Sequence, residues 1–267
     1  MSAVDRAFEA LRSQNKKALM PFITAGDPSL DMTAAVLQEL GKRGAAVCEL
    51  GIPYSDPIAD GPVIQASYTR ALNKKIKLQQ ILDTVGRVTP QLPCPVVTMI
   101  SYAIIHRHGP EQYLDAAQAA GISGAIVPDL LVEESAAFAK LCRERDFSLI
   151  QLVTPTTSQE RAKRIVETST GFIYYVSVAG ITGERTELPS NIVENVRWLK
   201  GQTNLPICIG FGISTPEHVR MLKDACDGVI VGSAIVRRLQ EAETRSQAEV
   251  IQDVGAYVDT LLDALNG

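Results

Sequence analysis

The chain has 267 residues, 46% of them hydrophobic, which is enough to bury a large core within one domain. Its formal net charge of −4 leaves no broad basic field for nucleic acid or an anionic membrane, and no apolar run approaches the ~18 residues of a membrane span. The five cysteines, Cys48, Cys94, Cys142, Cys208 and Cys226, are odd in number, far apart and without a CxxC pair, a pattern of reduced core thiols in a cytoplasmic protein.

The start, MSAVDRAFEALRSQ, has the spacing of an amphipathic surface helix, without the charged-then-apolar order of a signal peptide or an Arg- and Ser-rich leader. Short β-rich apolar runs then alternate with stretches of helical period. ALMPFI (18–23) reads as the first strand, and SLDMTAAVLQELGKRG as the helix after it, opened by Asp27 with Ser29 or Asp31 and closed by Gly44. AAVCELG (45–51) is the second strand. The insertion that follows, about residues 52–76, is long enough to hold an extra helix over PVIQASYTRALN. PVVTMI (95–100), GAIVPD (124–129), FSLIQLV (147–153), GFIYYVS (171–177), PICIGF (206–211) and DGVIVG (227–232) continue the strands. Between them GPEQYLDAAQAAG, VEESAAFAKLCRERD, SQERAKRIVETS and TPEHVRMLKDAC read as helices, with Gly121 closing the first and Ser158 and Thr215 opening two later ones.

Eight continuous apolar strands, each followed by a helix, fit a parallel sheet closed into a (β/α)8 TIM barrel better than an open doubly wound sheet. The expectation is one α/β domain over residues 1–267, with an extra N-terminal helix and a short helix at SAIVRRL after the eighth strand. Active sites of such barrels are built from the loops that follow the strands, so the insertion after strand two and the long polar loop VAGITGERTELPS after strand six are the first places to search.

GFGIST (210–215) follows strand seven and VGSAIVRRL (231–239) follows strand eight. Gly210, Gly212 and Gly232 fit tight turns and Ser233 an ordinary N-cap. They also fit a phosphate cradle, in which backbone N–H groups at a helix start face the anion. Two such loops on adjacent strands favour the cradle, and Gly183 of loop six could supply a third wall.

In AAVCELG the period of two puts Ala45, Val47 and Glu49 on one face, so Glu49 can point inward at the barrel mouth over apolar neighbours, where its pKa rises toward acid/base range. A glutamate turned to solvent at a strand end is the alternative. Asp60 sits in DPIADGP, between Pro57 and Pro62, a stiff loop that holds a carboxylate in place at little entropic cost. Asp56, in SDP, fits an ordinary turn opener equally well, and Asp129 reads best as the cap of the next helix. None of the ten lysines falls at a strand end, where a Schiff-base aldolase needs one. The three histidines do not form a metal set: His106 and His108 read as a solvated loop and His218 lies on a helix. What remains is proton transfer by carboxylates beside a phosphate grip.

MPFITAGDP, ELGIPYSDPIADGPVIQ, YYVSVAGITG, GFGISTPEHV and VGSAIV resemble, in order and over essentially the whole chain, the motifs of the tryptophan synthase alpha chain family. The resemblance implies a (β/α)8 barrel that cleaves indole-3-glycerol phosphate to indole and glyceraldehyde 3-phosphate. It implies that Glu49 is the catalytic acid/base, Asp60 the second catalytic carboxylate and Tyr174 a tyrosine near the reacting glycerol. Phe22, Ile100, Ile126 and Phe211 match the apolar walls of the indole pocket. Gly183, Gly212, Gly232 and Ser233 match phosphate ligands, and Thr182 a loop-six threonine that helps order the closed site. Where bacterial members often carry an arginine this chain has Val178, and its SVAGITG form is similar to the cyanobacterial and plastid branch.

The resemblance further implies a retro-aldol cleavage with no metal and no cofactor in this chain. Pyridoxal phosphate is expected only in a partner beta chain, within an α2β2 assembly whose contact includes the loop around Pro53 and Asp56. A free-standing lyase that releases indole alone shares these motifs, and a non-catalytic sugar-phosphate-binding barrel is the rival from another class. Glu49 and Asp60 argue against the latter, since a mere binder gains nothing from acids near a phosphate.

Overall fold

The computed structural model describes residues 1–57, 60–177, 192–210 and 212–267. Nine strand segments, all parallel, run β1 (Ala18–Thr24), β2 (Cys48–Gly51), β3 (Val96–Met99), β4 (Ile122–Ile126), β5 (Ser148–Ile150), β6 (Leu152–Val153), β7 (Ile173–Val176), β8 (Ile207–Gly210) and β9 (Gly228–Val231). Their order is β5-β4-β3-β2-β1-β9-β8-β7-β6. Only Gln151 separates β5 from β6, so the two are halves of one stave. β5 pairs with β4 and β6 with β7, which closes the ring as an eight-staved barrel. The run FSLIQLV thus serves two neighbours at once.

Strand alternation divides the core into two clusters. Leu19 and Ile23 of β1, Cys48 and Leu50 of β2 and Val96 of β3 face outward to the helices, whereas Met20, Phe22, Val97, Ile126, Tyr174 and Cys208 fill the barrel. Every residue of β1, β2 and β3 is buried, as expected for parallel strands covered on both faces. All five cysteines are buried free thiols.

The helices of the described residues are α1 (Ala3–Ser13), α2 (Leu30–Arg43), α3 (Pro62–Asn73), α4 (Leu78–Val88), α5 (Tyr102–His108), α6 (Pro110–Ala119), α7 (Ala136–Glu144), α8 (Gln159–Thr168), α9 (Ile192–Lys200), α10 (Pro216–Leu222), α11 (Ser233–Gln240) and α12 (Gln247–Asn266). Ser29, Ser158 and Thr215 cap α2, α8 and α10 through their hydroxyls, and Gly44 ends α2 in the left-handed conformation. None of these helices is long and apolar enough to cross a membrane.

Three expectations need correction. α1 is more than a surface helix, because Val4 and Phe8 lie in the barrel cluster, with the Phe8 and Phe172 rings 5.7 Å apart, so the helix stoppers the N-terminal end of the barrel. His106 and His108 are exposed as predicted, but they end α5, not a loop, since Ser101 caps that helix by accepting from the Ala103 N–H. Asp129 caps α5 of the preceding unit and not the next helix. Its two oxygens accept from the Ser101 hydroxyl at 2.6 Å and the Tyr102 N–H at 2.7 Å, a pairing across two adjacent loops that local spacing cannot show.

The inserted helix α3 is seated over the barrel mouth by one face. Gly61 and Pro62 open it, and Ile64, Ser67, Tyr68 and Ala71 form its buried stripe. Two polar ties fasten that stripe to the end of β1. Ser67 Oγ lies 2.6 Å from Thr24 Oγ1, and Arg70 donates from Nε and Nη2 to the two oxygens of Asp27 at 2.8 and 2.7 Å.

Candidate active site

Glu49 stands in register with Phe22 of β1 and Val97 of β3. The alternation that sends Cys48 and Leu50 outward turns Glu49 into the barrel. Its residue exposure is 0%, and neither carboxylate oxygen has a hydrogen-bond partner. Burial without a partner penalises the anion and holds the carboxyl well above its usual range, which favours the protonated acid.

Asp60 reaches the same hollow from the loop between β2 and α3. Its N–H donates to the Pro57 carbonyl at 3.0 Å, and its own carbonyl accepts from Gln65 Nε2 of α3 at 2.7 Å. The proline-bounded turn and the seated helix together fix its position. The residue is 7% exposed, and burial raises the carboxyl to about 6. Near neutral pH Asp60 is therefore mostly ionised, while complete burial without a partner favours the protonated form of Glu49, the divergence that separates an acid from an electrostatic partner.

Both acids act on the same two phenols. Burial, then the charges of Asp60, Tyr54 and Glu49, push the Tyr68 hydroxyl up, and burial, then Glu49 and Asp60, do the same to Tyr174. The walls between them are Phe22, Met99, Ile126 and the two phenol rings, all in the inner cluster. Tyr174 lies flat against β8: a Cβ on Gly210 would fall 2.3 Å from its hydroxyl, so that stave must be glycine for the ring to lie there. Ile100, one residue past β3, packs in the outer cluster, whereas Val97 and Met99 of this stave share the inner one.

The loops after β8 and β9 form the opposite end. Gly212 has φ +77°, a left-handed turn that a side chain would strain. Gly232 precedes α11 and accepts from the N–H groups of Ile235 and Val236 at 2.9 and 3.0 Å. Its lack of a side-chain cap leaves the Ser233 and Ala234 N–H groups outside the helix ladder, at the positive end of the dipole. A Cβ on Gly232 would lie 3.5 Å from Cβ and Cδ1 of Phe22, so this helix start adjoins the apolar wall. Thr182, Gly183, Phe211 and the Val178 departure lie outside the described residues. Pro53 is half-buried and Asp56 exposed on the rim. No cluster of three or more His, Cys, Asp or Glu side chains among the described residues could hold a metal ion.

Sequence reasoning missed Tyr68 and Met99. Tyr68 was legible only as part of the α3 stripe, where an aromatic reads as packing. Its hydroxyl is buried without a partner beside Gly51, two residues beyond Glu49.

A family model for the tryptophan synthase alpha chain matches residues 8–266. The tryptophan synthase alpha chain of Rhodopirellula baltica is 58% identical over 276 aligned positions, which cover 100% of this chain and 99% of that protein. This chain belongs to the tryptophan synthase alpha chain family. The Rippkaea orientalis member is 44% identical over 99% of this chain and 98% of its own. Among solved structures, the tryptophan synthase alpha subunit of Legionella pneumophila str. Paris superposes with a TM-score of 0.87 at 34% identity, covering 99% of this chain and 98% of that one. A structure of Mycobacterium tuberculosis tryptophan synthase reaches 0.90 at 29% identity over 100% and 99%. In this member of the family the barrel carries two buried acids at the mouth, where the fold places chemistry.

Proposed function

We propose that this chain is the alpha subunit that cleaves indole-3-glycerol phosphate to indole and glyceraldehyde 3-phosphate. The observation that carries the reading is the unpartnered Glu49 carboxyl in an apolar hollow that Asp60 also faces. Neutral Glu49 gives its proton to indole C3, which turns the ring into a cationic electron sink. Ionised Asp60 accepts the ring N–H and balances the developing charge. Glu49, now anionic, takes the proton of the hydroxyl beside the bond that breaks. The oxygen electrons form the aldehyde, the carbon–carbon pair returns to the ring, and Glu49 ends neutral as it began. Tyr174, against β8, closes the glycerol side of the hollow.

Phe22 and Ile126 wall the indole, and Ile100 backs them from the stave behind Met99. The phosphate sits on the backbone at Gly212, Gly232 and Ser233, with Gly183 and Thr182 of loop six completing the grip and Phe211 the ring wall. The chemistry uses protons alone, so this chain needs no cofactor. Family membership implies a beta chain as partner. We place pyridoxal phosphate in that chain, the assembly as α2β2, and the contact on the rim that carries Pro53 and exposed Asp56.

Turnover of indole-3-glycerol phosphate by the purified chain, with and without a beta chain, tests the reading. Slow cleavage strongly stimulated by the partner is expected. High unaided turnover would identify a free-standing lyase, and binding without turnover in either case would sink the assignment.

A further inference from the structure

Tyr68 is 1% exposed and its hydroxyl has no hydrogen-bond partner. A buried donor left unpaired costs about 1–3 kcal/mol, so its retention calls for an acceptor that arrives with a ligand. The position of the hydroxyl says what that acceptor is. A Cβ on Gly51 would lie 2.4 Å from Phe22 Cζ and 2.8 Å from the Tyr68 oxygen, so the phenol meets the tip of the Phe22 ring. The root of the same ring adjoins Gly232 at the start of α11. Phe22 therefore runs between the phosphate end and Tyr68, and the phenol lies where Asp60 and Glu49 both bear on it, on the side of the hollow where the bond breaks.

We propose that Tyr68 is a further catalytic residue of this site, its hydroxyl donating a hydrogen bond to the glycerol hydroxyl beside the bond that breaks. The inference rests on the proposed cleavage reaction. As Glu49 removes that hydroxyl's proton, negative charge develops on the oxygen before the aldehyde forms, and a donor already aimed at it stabilises the charge without reorganisation. The phenol suits the task because the Tyr54 ring, 5.6 Å away by centroids, and the buried face of α3 hold it in one orientation. Neither Phe22 nor Met99 can supply such a donor.

The test compares Tyr68→Phe with the parent chain, both with the beta chain bound, on two molecules. One is indole-3-glycerol phosphate and the other the indolylpropyl phosphate that lacks both glycerol hydroxyls. Loss of one such bond should lower kcat/KM for the substrate about 10- to 100-fold while the dissociation constant of the deoxygenated analogue stays within about twofold. The variant should melt no lower than the parent, because the atom removed has no partner in the free protein. Unchanged kcat/KM in Tyr68→Phe, or equal losses on both molecules, would overturn the role; the second result would make Tyr68 a packing residue. Absence of turnover by the parent chain would instead overturn the reaction on which the proposal stands.

Discussion

Two buried carboxylates lie on adjacent staves of this barrel and are treated in opposite ways. Asp27, just past β1 and 3% exposed, receives both Nε and Nη2 of Arg70. Glu49, on β2 and 0% exposed, receives nothing. A charge-assisted fork makes the first acid part of the scaffold that seats α3. The second is a neutral acid held in readiness, and the fold tolerates it only because burial shifts its protonation. Burial alone does not separate these two acids; the presence of a partner does.

The sharpest way to break this contrast is Glu49→Gln, which keeps the shape and removes the proton. Cleavage of indole-3-glycerol phosphate should fall by ~10²- to 10⁴-fold or more, while equilibrium binding of the substrate persists. Thermal or urea unfolding of the same variant should show no loss of stability, because no native contact of the carboxylate is given up. Near-normal kcat would remove Glu49 from the mechanism.

Asp27→Ala should do the reverse. Breaking a buried pair leaves the partly buried Arg70 guanidinium only the exposed Glu243, 3.7 Å from its Nε, among the described residues, and up to about 3 kcal/mol of unfolding free energy should be lost. Urea denaturation reads this directly, and a loss within error of zero would show that the fork is ornamental.

Asp60 lies between the two extremes, with its carboxyl raised to about 6 against an ordinary 3.8. In the window between those values the folded chain binds more protons than the unfolded one, so stability falls as pH rises through it. Below it both states are protonated and the penalty vanishes. Above about 6 it is complete and amounts to at most about 3 kcal/mol. Asp60→Asn should therefore be more stable than the parent at pH 8 and no different near pH 3.5, as measured by urea unfolding at both. If Asp60 must be ionised to balance the indole cation, kcat/KM of the parent should also decline as pH drops below about 6. An acid limb that survives unchanged in Asp60→Asn would assign it elsewhere.

How far the sequence reveals these differences depends on their range. The barrel was legible because period-two runs such as 18–23 and helical stripes such as 62–73 are local, and the end of β2 had to carry Glu49 on the same face as Val47. The caps Ser29, Ser158 and Thr215 were legible for the same reason. Asp129 was misread because its partners, Ser101 and Tyr102, lie 28 and 27 residues away. α1 was misread because amphipathicity shows which face is apolar, not that Phe172 and the barrel end await it. Tyr68 escaped because an aromatic on a helix stripe looks like core, and only coordinates show its hydroxyl unpaired. The motif resemblance supplied Asp60 and Tyr174 their roles; period and spacing alone supplied only their places.

The smallest expected effect tests whether α3 is seated by satisfied polar groups, as the Asp27 side of the comparison requires. Ser67 Oγ donates to the Ile64 carbonyl at 2.7 Å, so in its 2.6 Å contact with Thr24 it is the acceptor and the Thr24 hydroxyl the donor. Both residues are buried, Ser67 at 0% and Thr24 at 1% exposure. Ser67→Ala strands the Thr24 hydroxyl and should cost about 1–2 kcal/mol, whereas Thr24→Val removes the donor and leaves Ser67 its bond to Ile64. Once Thr24 is already valine, Ser67→Ala strands nothing further. The double variant should accordingly be more stable than the sum of the two losses implies, with a coupling of about 1 kcal/mol in a double-mutant cycle. Zero coupling would mean that the two hydroxyls do not depend on each other, and that the apolar stripe of Ile64, Tyr68 and Ala71 together with the Asp27–Arg70 fork is enough to hold α3, and with it Asp60, over the barrel.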